Sequence, residues 1–489
     1  MPENTVSILT SIQASSEAVV RSLMSLRNND APILYLHGPG EEPPSGPDMR
    51  TVETTATTLG GMLEVARASV KSDLYIWIPP GVEVDPHGIQ RFIDKHHNHP
   101  EAALIVSDYH HRDRNVEIHP FKDDLTERED FGALWGLPAE YLDRIGGADQ
   151  SLKFATFYDL RLKLMEHGDV AQIKVPTHTV HPPEDDSEVD ENVLFYPGGG
   201  TYGGFSYLFM DEAEEKETEQ VFYDCLKRRG AYLELPENVA PRSPIADGDP
   251  IVTVVIPVHN RATLLGKALD SVLANTLDNF EIIVVDNASH DNSLEVAQKY
   301  ADKDTRIRVL SSDLNLIAKA LNMGIAAARG RYIAQLDSDD EYLPNTLQSM
   351  VDHLESHPQC ALAISYYVLM DEGGTTLSDF GIIEHLEYNL NNILRVDGAG
   401  ALRCWSKAAV QEMGGFNEVD FPNYGEDYDL VLKVSEKYQV DRVHDVLYRY
   451  RRHPGNTDAL RLPKDKIRAK TFARTCAVER RRKINERFS

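Results

Sequence analysis

Residues 251–258 read "IVTVVIPV", an apolar and largely β-branched run that ends in the polar residues "HNR" at 259–261. A run without polar alternation is typical of a parallel strand that is covered on both faces. The next segments alternate in character: a helix over 263–273, strand "FEIIVVD" (280–286), a helix from 292, strand "IRVL" (307–310), a helix over 316–328 and strand "YIAQL" (332–336). This alternation predicts right-handed crossovers and a doubly wound α/β sheet.

Polar clusters come directly after three of these strands: "HNR" (259–261), "DNAS" (286–289) and "DSDD" (337–340). Sheets of this kind bind ligands beyond the carboxyl ends of their strands. Carboxylates are hard ligands that Mg²⁺ or Mn²⁺ uses together with substrate phosphates. Asp337 and Asp339 therefore predict a site for a metal-bound nucleotide. The alternative is an acidic loop that caps the helix beginning near Asn345, and the neighbouring clusters favour the ligand site.

Two segments of the chain repeat one another at a constant offset of 258 residues. "YIWIPPGVEVDPHGIQRFIDKHHNHPEAALIVSDY" (75–109) and "IAQLDSDDEYLPNTLQSMVDHLESHPQCALAISYY" (333–367) align without a gap, and 10 of 35 positions are identical. Unrelated segments of ordinary composition would share roughly two. "YDLRLK" at 158 also matches "YDLVLK" at 428. We infer that the chain contains two copies of one domain.

The second copy resembles a known family in several ordered motifs. "VTVVIPVHNRATLLGKALDSVLANTLDNFEIIVVDNASHDNS" (252–293), "ALNMGIAAARGRYIAQLDSDDEYLP" (320–344) and "GGFNEVDFPNYGEDYDLVLKV" (414–434) are similar to family-two glycosyltransferases of the GT-A fold. The resemblance covers roughly residues 250 to 455. It implies two tandem GT-A domains with mixed, mostly parallel sheets flanked by helices, followed by a C-terminal helical tail.

The resemblance also implies roles for matching positions. Pro257 and His259 would flank the nucleotide base, Asp286 would accept a hydrogen bond from a ring N–H, and Asp427 would be the general base, with Glu426 the next candidate. The implied donor-binding positions are Pro257, His259, Asn260, Arg261, Asp286, Lys319, Asp337 and Ser338. The implied metal ligands are Asp337, Asp339 and His453. One departure concerns "NLIAKALNMG" (315–324), which lacks the glycine that the family shows before this helix and weakens the assignment of Lys319.

These roles imply a metal-dependent inverting glycosyltransferase that uses Mn²⁺ or Mg²⁺. Its donor would be a nucleoside diphosphate sugar, with UDP the favoured nucleotide, and its acceptor a hydroxyl of a saccharide or of another glycan or lipid-linked molecule. A carboxylate base is needed because a sugar hydroxyl is a poor nucleophile at neutral pH. The alternative is a non-catalytic carbohydrate-binding or scaffold protein built of two GT-A-like domains. The retained D-x-D and Glu-Asp pair argue against that alternative.

The first copy has lost these positions. The constant offset places 337–340 onto 79–82, which read "PPGV", and the "YDL" match places Glu426 and Asp427 onto Thr156 and Phe157. Proline and glycine side chains cannot ligate a cation, and phenylalanine cannot accept a proton. We therefore expect a degenerate GT-A-like domain over 1–236, a linker over 237–250, a catalytic domain over 251–460 and a basic helical tail over 461–489. The segment "YPGGGTYGGFSY" (196–207) is expected to be a surface loop.

Composition limits the class of protein and its partners. The 489 residues carry a formal net charge of −28, which argues against nucleic acid as a partner. No run approaches the ~20 apolar residues of a membrane span, and four widely spaced cysteines favour reduced thiols in a cytoplasm. The basic tail leaves three alternatives open: docking on the acidic body, contact with anionic lipids at the inner face of a membrane, or a homodimer.

Overall fold

The computed structural model describes residues 5–27, 31–46, 48–111, 114–127, 129–181, 211–456 and 460–488. The described chain divides into two compact units, the first up to residue 225 and the second from residue 226 onward. The glycine-rich segment 196–207 lies outside the described residues, so its expected loop is not tested.

The first unit contains a seven-stranded sheet of order β10-β6-β9-β4-β1-β2-β3 and a four-stranded sheet of order β5-β11-β7-β8. Its strands are β1 Thr5–Thr10, β2 Ile33–His37, β3 Met49–Glu53, β4 Leu74–Trp77, β5 Glu83–Val84, β6 Ala102–Ser107, β7 Tyr109–His111, β8 Arg114–Val116, β9 Trp135–Pro138, β10 Asp169–Ile173 and β11 His178–Val180. Its helices are α1 Ser16–Leu26, α2 Leu59–Ser69, α3 Gly88–Asn98, α4 Ala139–Arg144 and α5 Thr156–Met165, and α6 Glu212–Arg228 comes next in the chain.

The second unit contains one large sheet of order β14-β13-β12-β15-β19-β17-β20-β16, with β18 paired to β17. Its strands are β12 Val252–Val258, β13 Phe280–Asn287, β14 Ile307–Ser312, β15 Tyr332–Gln335, β16 Glu341–Tyr342, β17 Cys360–Met370, β18 Ile382–Ile383, β19 Arg403–Ser406 and β20 Gln439–Arg451. Its helices are α7 Leu265–Leu273, α8 Ser293–Ala301, α9 Ile317–Ala327, α10 Thr346–Ser356, α11 Lys407–Glu412, α12 Glu426–Ser435 and α13 Pro463–Phe488.

The α/β prediction is confirmed, and the residues explain these elements. Every residue of β12 is buried, as expected of a strand covered on both faces. Helix α10 buries positions spaced as one helical face, namely Leu347, Met350, Val351 and Leu354. The sheet is mixed, because β19 runs antiparallel to both β15 and β17, while the other pairings along the path from β14 to β20 are parallel.

Both units share one strand order, β3-β2-β1-β4-β9-β6-β10 in the first and β14-β13-β12-β15-β19-β17-β20 in the second. The pairings along each path are three parallel, two antiparallel and one parallel. The register agrees as well, since Glu83 faces Thr179 in the first unit and Glu341 faces Arg449 in the second. Within the described residues, the first unit has no helix between β2 and β3, where the second unit has α8 between β13 and β14.

The basic tail forms the predicted helix, α13, which packs on the second unit. The Lys470 ammonium lies 2.6 Å from an Asp397 carboxylate oxygen, and Arg480 Nε lies 2.8 Å from Glu436 Oε2. Arg481 is fully buried and donates to the backbone carbonyl of Leu390 at 2.8 Å. Of the alternatives for the basic tail, these contacts favour docking on the acidic body for the helix face that carries Lys470, Arg480 and Arg481. Among the described helices, none combines the length and the apolar character that crossing a bilayer requires.

Candidate active site

A cavity of about 590 Å³ opens at the carboxyl ends of β12, β13 and β15. Helix α12 begins at the same cavity, so its first residues face the loops that leave the strands. The cavity brings together most of the positions predicted from the sequence, namely Pro257, His259, Arg261, Asp337, Ser338, Asp339, Glu426 and Asp427. Four predicted positions are not part of its lining: Asn260, Asp286, Lys319 and His453. His453 nevertheless contacts Asp339, whereas the partly buried Lys319 makes no described contact with the other predicted residues.

Asp339 is held by two basic side chains. Its Oδ2 atom lies 2.9 Å from His453 Nε2 and accepts a hydrogen bond from Arg261 Nε at 3.1 Å. Burial alone would raise the pKa of Asp339, but the hydrogen bond from His453 and the charge of Arg261 outweigh burial and lower it. Asp339 is therefore a stable anion at neutral pH. The Arg261 guanidinium also donates to the Gly455 carbonyl at 2.5 Å, which joins the loop after β20 to the loop after β12.

Asp337 lies in a different electrostatic environment. Burial among protein atoms and the negative charge of Asp339 raise its pKa to about 7. Asp337 lines the cavity and is exposed to solvent there. The two carboxylates thus repel one another at the edge of an open cavity.

Asp340, the third acid of the cluster, is part of the protein interior. Tyr448 donates its hydroxyl hydrogen to Asp340 Oδ2 at 2.7 Å, and the Arg451 backbone N–H donates to Oδ1 at 2.7 Å. Asp340 is almost fully buried. The Asp340 side chain joins the loop after β15 to strand β20 and does not line the cavity.

The residues on the cavity side fit a divalent cation. Asp337 and Asp339 supply oxygen ligands, His453 adjoins them, and a cation would relieve the repulsion between the two carboxylates. The ligand atoms of Asp337, Asp339 and His453 do not all lie within 4.8 Å of one another. Among the described residues, the three side chains that do meet this distance form a cluster elsewhere in the second unit.

Glu426 and Asp427 occupy the first turn of α12. The helix begins after Gly425, whose φ of 85° lies in the left-handed region that favours glycine, and a Cβ there would also meet the Phe421 ring at 3.2 Å. Asp427 is one-third exposed, and its Oδ2 lies 2.7 Å from Arg403 Nη2. This ion pair holds the Asp427 carboxylate at the rim of the cavity.

Glu426 is buried, and its Oε2 has no hydrogen-bond partner among the described residues. Burial and the neighbouring Asp427 charge raise the pKa of Glu426 to about 8. Glu426 is therefore largely protonated at neutral pH. Such different environments for two adjacent carboxyl groups suit separate acid and base roles.

A third polar group lies at the end of β13. Asp286 is buried, and its Oδ1 has no hydrogen-bond partner among the described residues. The parallel register pairs Asp286 with Val258, the residue before His259. The His259 ring is fixed because its Nδ1 donates to the Asn287 carbonyl at 2.8 Å and its Nε2 accepts from the Asn260 amide at 3.0 Å. Asp286, whose Oδ1 has no partner among the described residues, is thus paired in the sheet with the residue that precedes the fixed His259 ring.

Arg403, which lines the cavity from β19, was not among the site residues predicted from the sequence. Its guanidinium is buried beside Asp427, Asp397 and Asp337; burial alone would lower its pKa, but these charges raise it. A signal was available, since "ALRCWS" (401–406) places one arginine inside an otherwise apolar strand. The Asp397–Lys470 ion pair at the cavity was also missed, because its partners lie 73 residues apart in the chain (470 − 397).

Comparison with known proteins places the second unit in a family. The family model for Glycosyl transferase family 2 matches residues 253–413. Glycosyltransferase GlyG of Streptococcus pneumoniae serotype 4 is 30% identical over 220 residues, which cover 42% of this chain and 72% of that protein. Chondroitin synthase of Pasteurella multocida is 26% identical over 54% of this chain and 27% of that protein. S. aureus TarS 1-349, solved in complex with UDP-GlcNAc, matches 45% of this chain and 64% of that chain at 21% sequence identity, with a TM-score of 0.38.

The fold and site define an enzyme of the glycosyltransferase class. The chain belongs to glycosyl transferase family 2, as the match across most of the pneumococcal enzyme shows. Against three further relatives, the chain spans only 23 to 34% of their length. The family match lies within the second unit, as the sequence motifs predicted.

Proposed function

We propose that this glycosyltransferase moves a sugar from a nucleoside diphosphate sugar, with UDP the favoured nucleotide, to a hydroxyl of a saccharide or of another glycan or lipid-linked acceptor. The anomeric carbon is inverted in a single displacement. The observation that carries the proposal is the cavity that holds Asp337 and Asp339 after one strand and Glu426 and Asp427 at the start of α12. A single displacement requires a diphosphate-binding group and a proton acceptor around the same sugar.

The donor base binds between the ends of β12 and β13. Asp286 accepts a hydrogen bond from the ring N–H of uracil, because a buried carboxylate oxygen without a partner is costly until a donor reaches it. The fixed ring of His259 and the side chain of Pro257 supply flat or apolar surface against the base. Asn260 and Ser338 complete this end of the site.

Asp337, Asp339 and His453 would hold Mn²⁺ or Mg²⁺ at the diphosphate. When bound, such a cation supplies positive charge that stabilises the departing nucleoside diphosphate. Arg261 contributes the same sign of charge from the protein itself, since its guanidinium already adjoins Asp339. The position of Lys319 supports no role for it in this arrangement.

Asp427 accepts the proton of the attacking hydroxyl. It is the partly exposed member of the pair, whereas Glu426 is buried and protonated at neutral pH. Arg403 holds the Asp427 carboxylate in place through the 2.7 Å ion pair. Because the adjacent Glu426 is protonated, it adds no second negative charge beside the Asp427 carboxylate.

The first unit is a degenerate copy of the second, so that the chain consists of two tandem GT-A domains. The shared strand order, pairing directions and register support this duplication. At the position of Asp427 the first unit has Phe157, whose ring lies 4.2 Å from the Trp135 ring, centroid to centroid. An aromatic cluster thus occupies the place of the base. Only the first unit, with Phe157 in place of the base, supports the alternative of a non-catalytic scaffold protein.

A thermal-shift screen of nucleotide sugars with Mn²⁺ tests the proposal. A ligand that binds only the native state raises its stability by about 2.7 kcal/mol at a hundred times its dissociation constant. We expect a UDP-sugar with Mn²⁺ to raise the Tm of the wild type and of the exposed-site control Asp379→Asn, but not of Asp339→Asn. An equal rise in all three proteins, or no rise with any nucleotide sugar, contradicts the proposal.

A further inference from the structure

A second group of metal-ligating side chains lies outside the cavity. His353 and His357 lie at the end of α10, and Asp441 lies near the start of β20. One ligand atom from each residue lies within 4.8 Å of the other two. None of the three lines the cavity described above, and the family motifs do not include them.

For one pair of ligand atoms, the distance between them is close to that expected around a tetrahedral metal ion. His353 Nε2 lies 3.2 Å from Asp441 Oδ2. Ligand atoms at about 2.0 to 2.2 Å from a tetrahedral Zn²⁺ stand about 3.3 to 3.5 Å apart. The two histidines are one helical turn apart, and their rings stack at 4.1 Å with an interplanar angle of 18°. His357 is exposed at the surface, and its ligand atom already lies within 4.8 Å of those of His353 and Asp441.

Surrounding groups prepare the ligand atoms. His357 Nδ1 lies 2.9 Å from the backbone carbonyl of His353, so this nitrogen carries the hydrogen and Nε2 presents its lone pair. Metal-binding histidines are commonly oriented by such a bond from the other ring nitrogen. The cluster also lies at the C-terminal end of α10, where the helix dipole favours a cation.

We propose that His353, His357 and Asp441 bind one divalent cation of the zinc class, with water in the fourth position. Two imidazoles and one carboxylate suit Zn²⁺, whereas Mg²⁺ prefers an all-oxygen set. The cation joins the end of α10 to β20, the strand that carries Tyr448 and Arg451 to Asp340. The first unit has Lys95, His99 and Ala171 at the corresponding positions and lacks the site.

Metal binding to the full-length chain tests the site. Metal-free protein carrying Asp339→Asn, which disables the cavity's metal position, is titrated with Zn²⁺ by calorimetry and with Co²⁺ by visible absorption. We expect one Zn²⁺ per chain, a higher Tm with Zn²⁺, and the visible bands of Co²⁺ bound to histidine nitrogen.

The variant series distinguishes this cluster from other surface histidines. His357→Ala removes an exposed side chain, and His353→Ala and Asp441→Asn remove the other two ligands; each is expected to weaken Zn²⁺ binding at least 10-fold. The matched control is His444→Ala, an exposed histidine on the same strand that pairs with Glu387 at 2.7 Å, and it should bind Zn²⁺ as the parent does. If the parent binds no Zn²⁺, or if His357→Ala and His444→Ala bind it equally well, the cluster is an ordinary ion pair and the proposal is wrong.

Discussion

Neighbouring acidic residues at the cavity differ in the groups that surround them. Asp339 and Asp340 are neighbours in the chain, yet the first is held by Arg261 and His453 and the second is enclosed by Tyr448 and Arg451. Glu426 and Asp427 also differ: Glu426 is buried and its Oε2 has no hydrogen-bond partner among the described residues, whereas Asp427 is paired with Arg403. Residue type alone therefore does not assign a role.

Replacing the proposed base should separate chemistry from binding. Asp427→Asn keeps the shape of the side chain and removes the proton acceptor, so turnover should fall roughly 10²-fold or more while the KM for the donor holds. The steady-state rate of nucleoside diphosphate release measures both parameters. Asp420→Asn, an exposed aspartate before the same helix, is the control and should behave as wild type. Near-normal turnover of Asp427→Asn would move the base to Glu426.

The raised pKa of Glu426 predicts a pH-dependent stability. Between the ordinary value of 4.5 and about 8, the folded protein retains a proton that the unfolded chain has lost, so this group lowers the free energy of unfolding as pH rises through that window. Glu426→Gln has no such proton. The Tm of the variant should therefore gain on that of the wild type, by a few °C, between pH 5 and pH 8 and no further above it. A constant Tm difference across this range would show that Glu426 titrates normally.

At the scale of elements, the loop after β15 is fastened to β20 through Asp340. Asp340→Ala leaves the Tyr448 hydroxyl and the Arg451 backbone N–H buried without acceptors, so the free energy of unfolding should fall by about 1 to 3 kcal/mol. The control is Asp337→Ala, which removes a solvent-accessible carboxylate repelled by Asp339 and should cost little stability. Urea unfolding of both variants measures the difference. Equal stability of the two would contradict the structural role of Asp340.

Local periodicity predicted the elements of the second unit closely. The helix expected over 316–328 is Ile317–Ala327, and the one expected from 263 begins at Leu265 because a turn precedes it. The insertion of β19 between β15 and β17 was not predicted, because pairing between strands distant in sequence leaves no periodic signal. The same reason hid the contact between Arg403 and Asp427, whereas Asp337, Asp339 and the Glu-Asp pair carried a motif.

On the scale of the whole molecule, two units with one strand order carry different residues at the ends of their strands. The second unit has Asp337 and Asp339 after β15, and the first has Pro79 and Gly81 after β4. The basic tail belongs to the second unit through α13, and five of its basic side chains remain exposed: Lys464, Arg468, Arg482, Lys483 and Arg487. Contact of these with lipid, or with a second copy of the chain, stays a prediction.

The number of nucleotide sites per chain tests the central claim most directly. Calorimetric titration of the full-length protein with UDP in the presence of Mn²⁺ should give one site per chain. Asp339→Asn should abolish that binding, and Pro80→Ala, the change at the position of Ser338 in the first unit, should leave it unchanged. Two sites per chain, or undiminished binding to Asp339→Asn, would contradict an enzyme whose only nucleotide site is the cavity of the second unit.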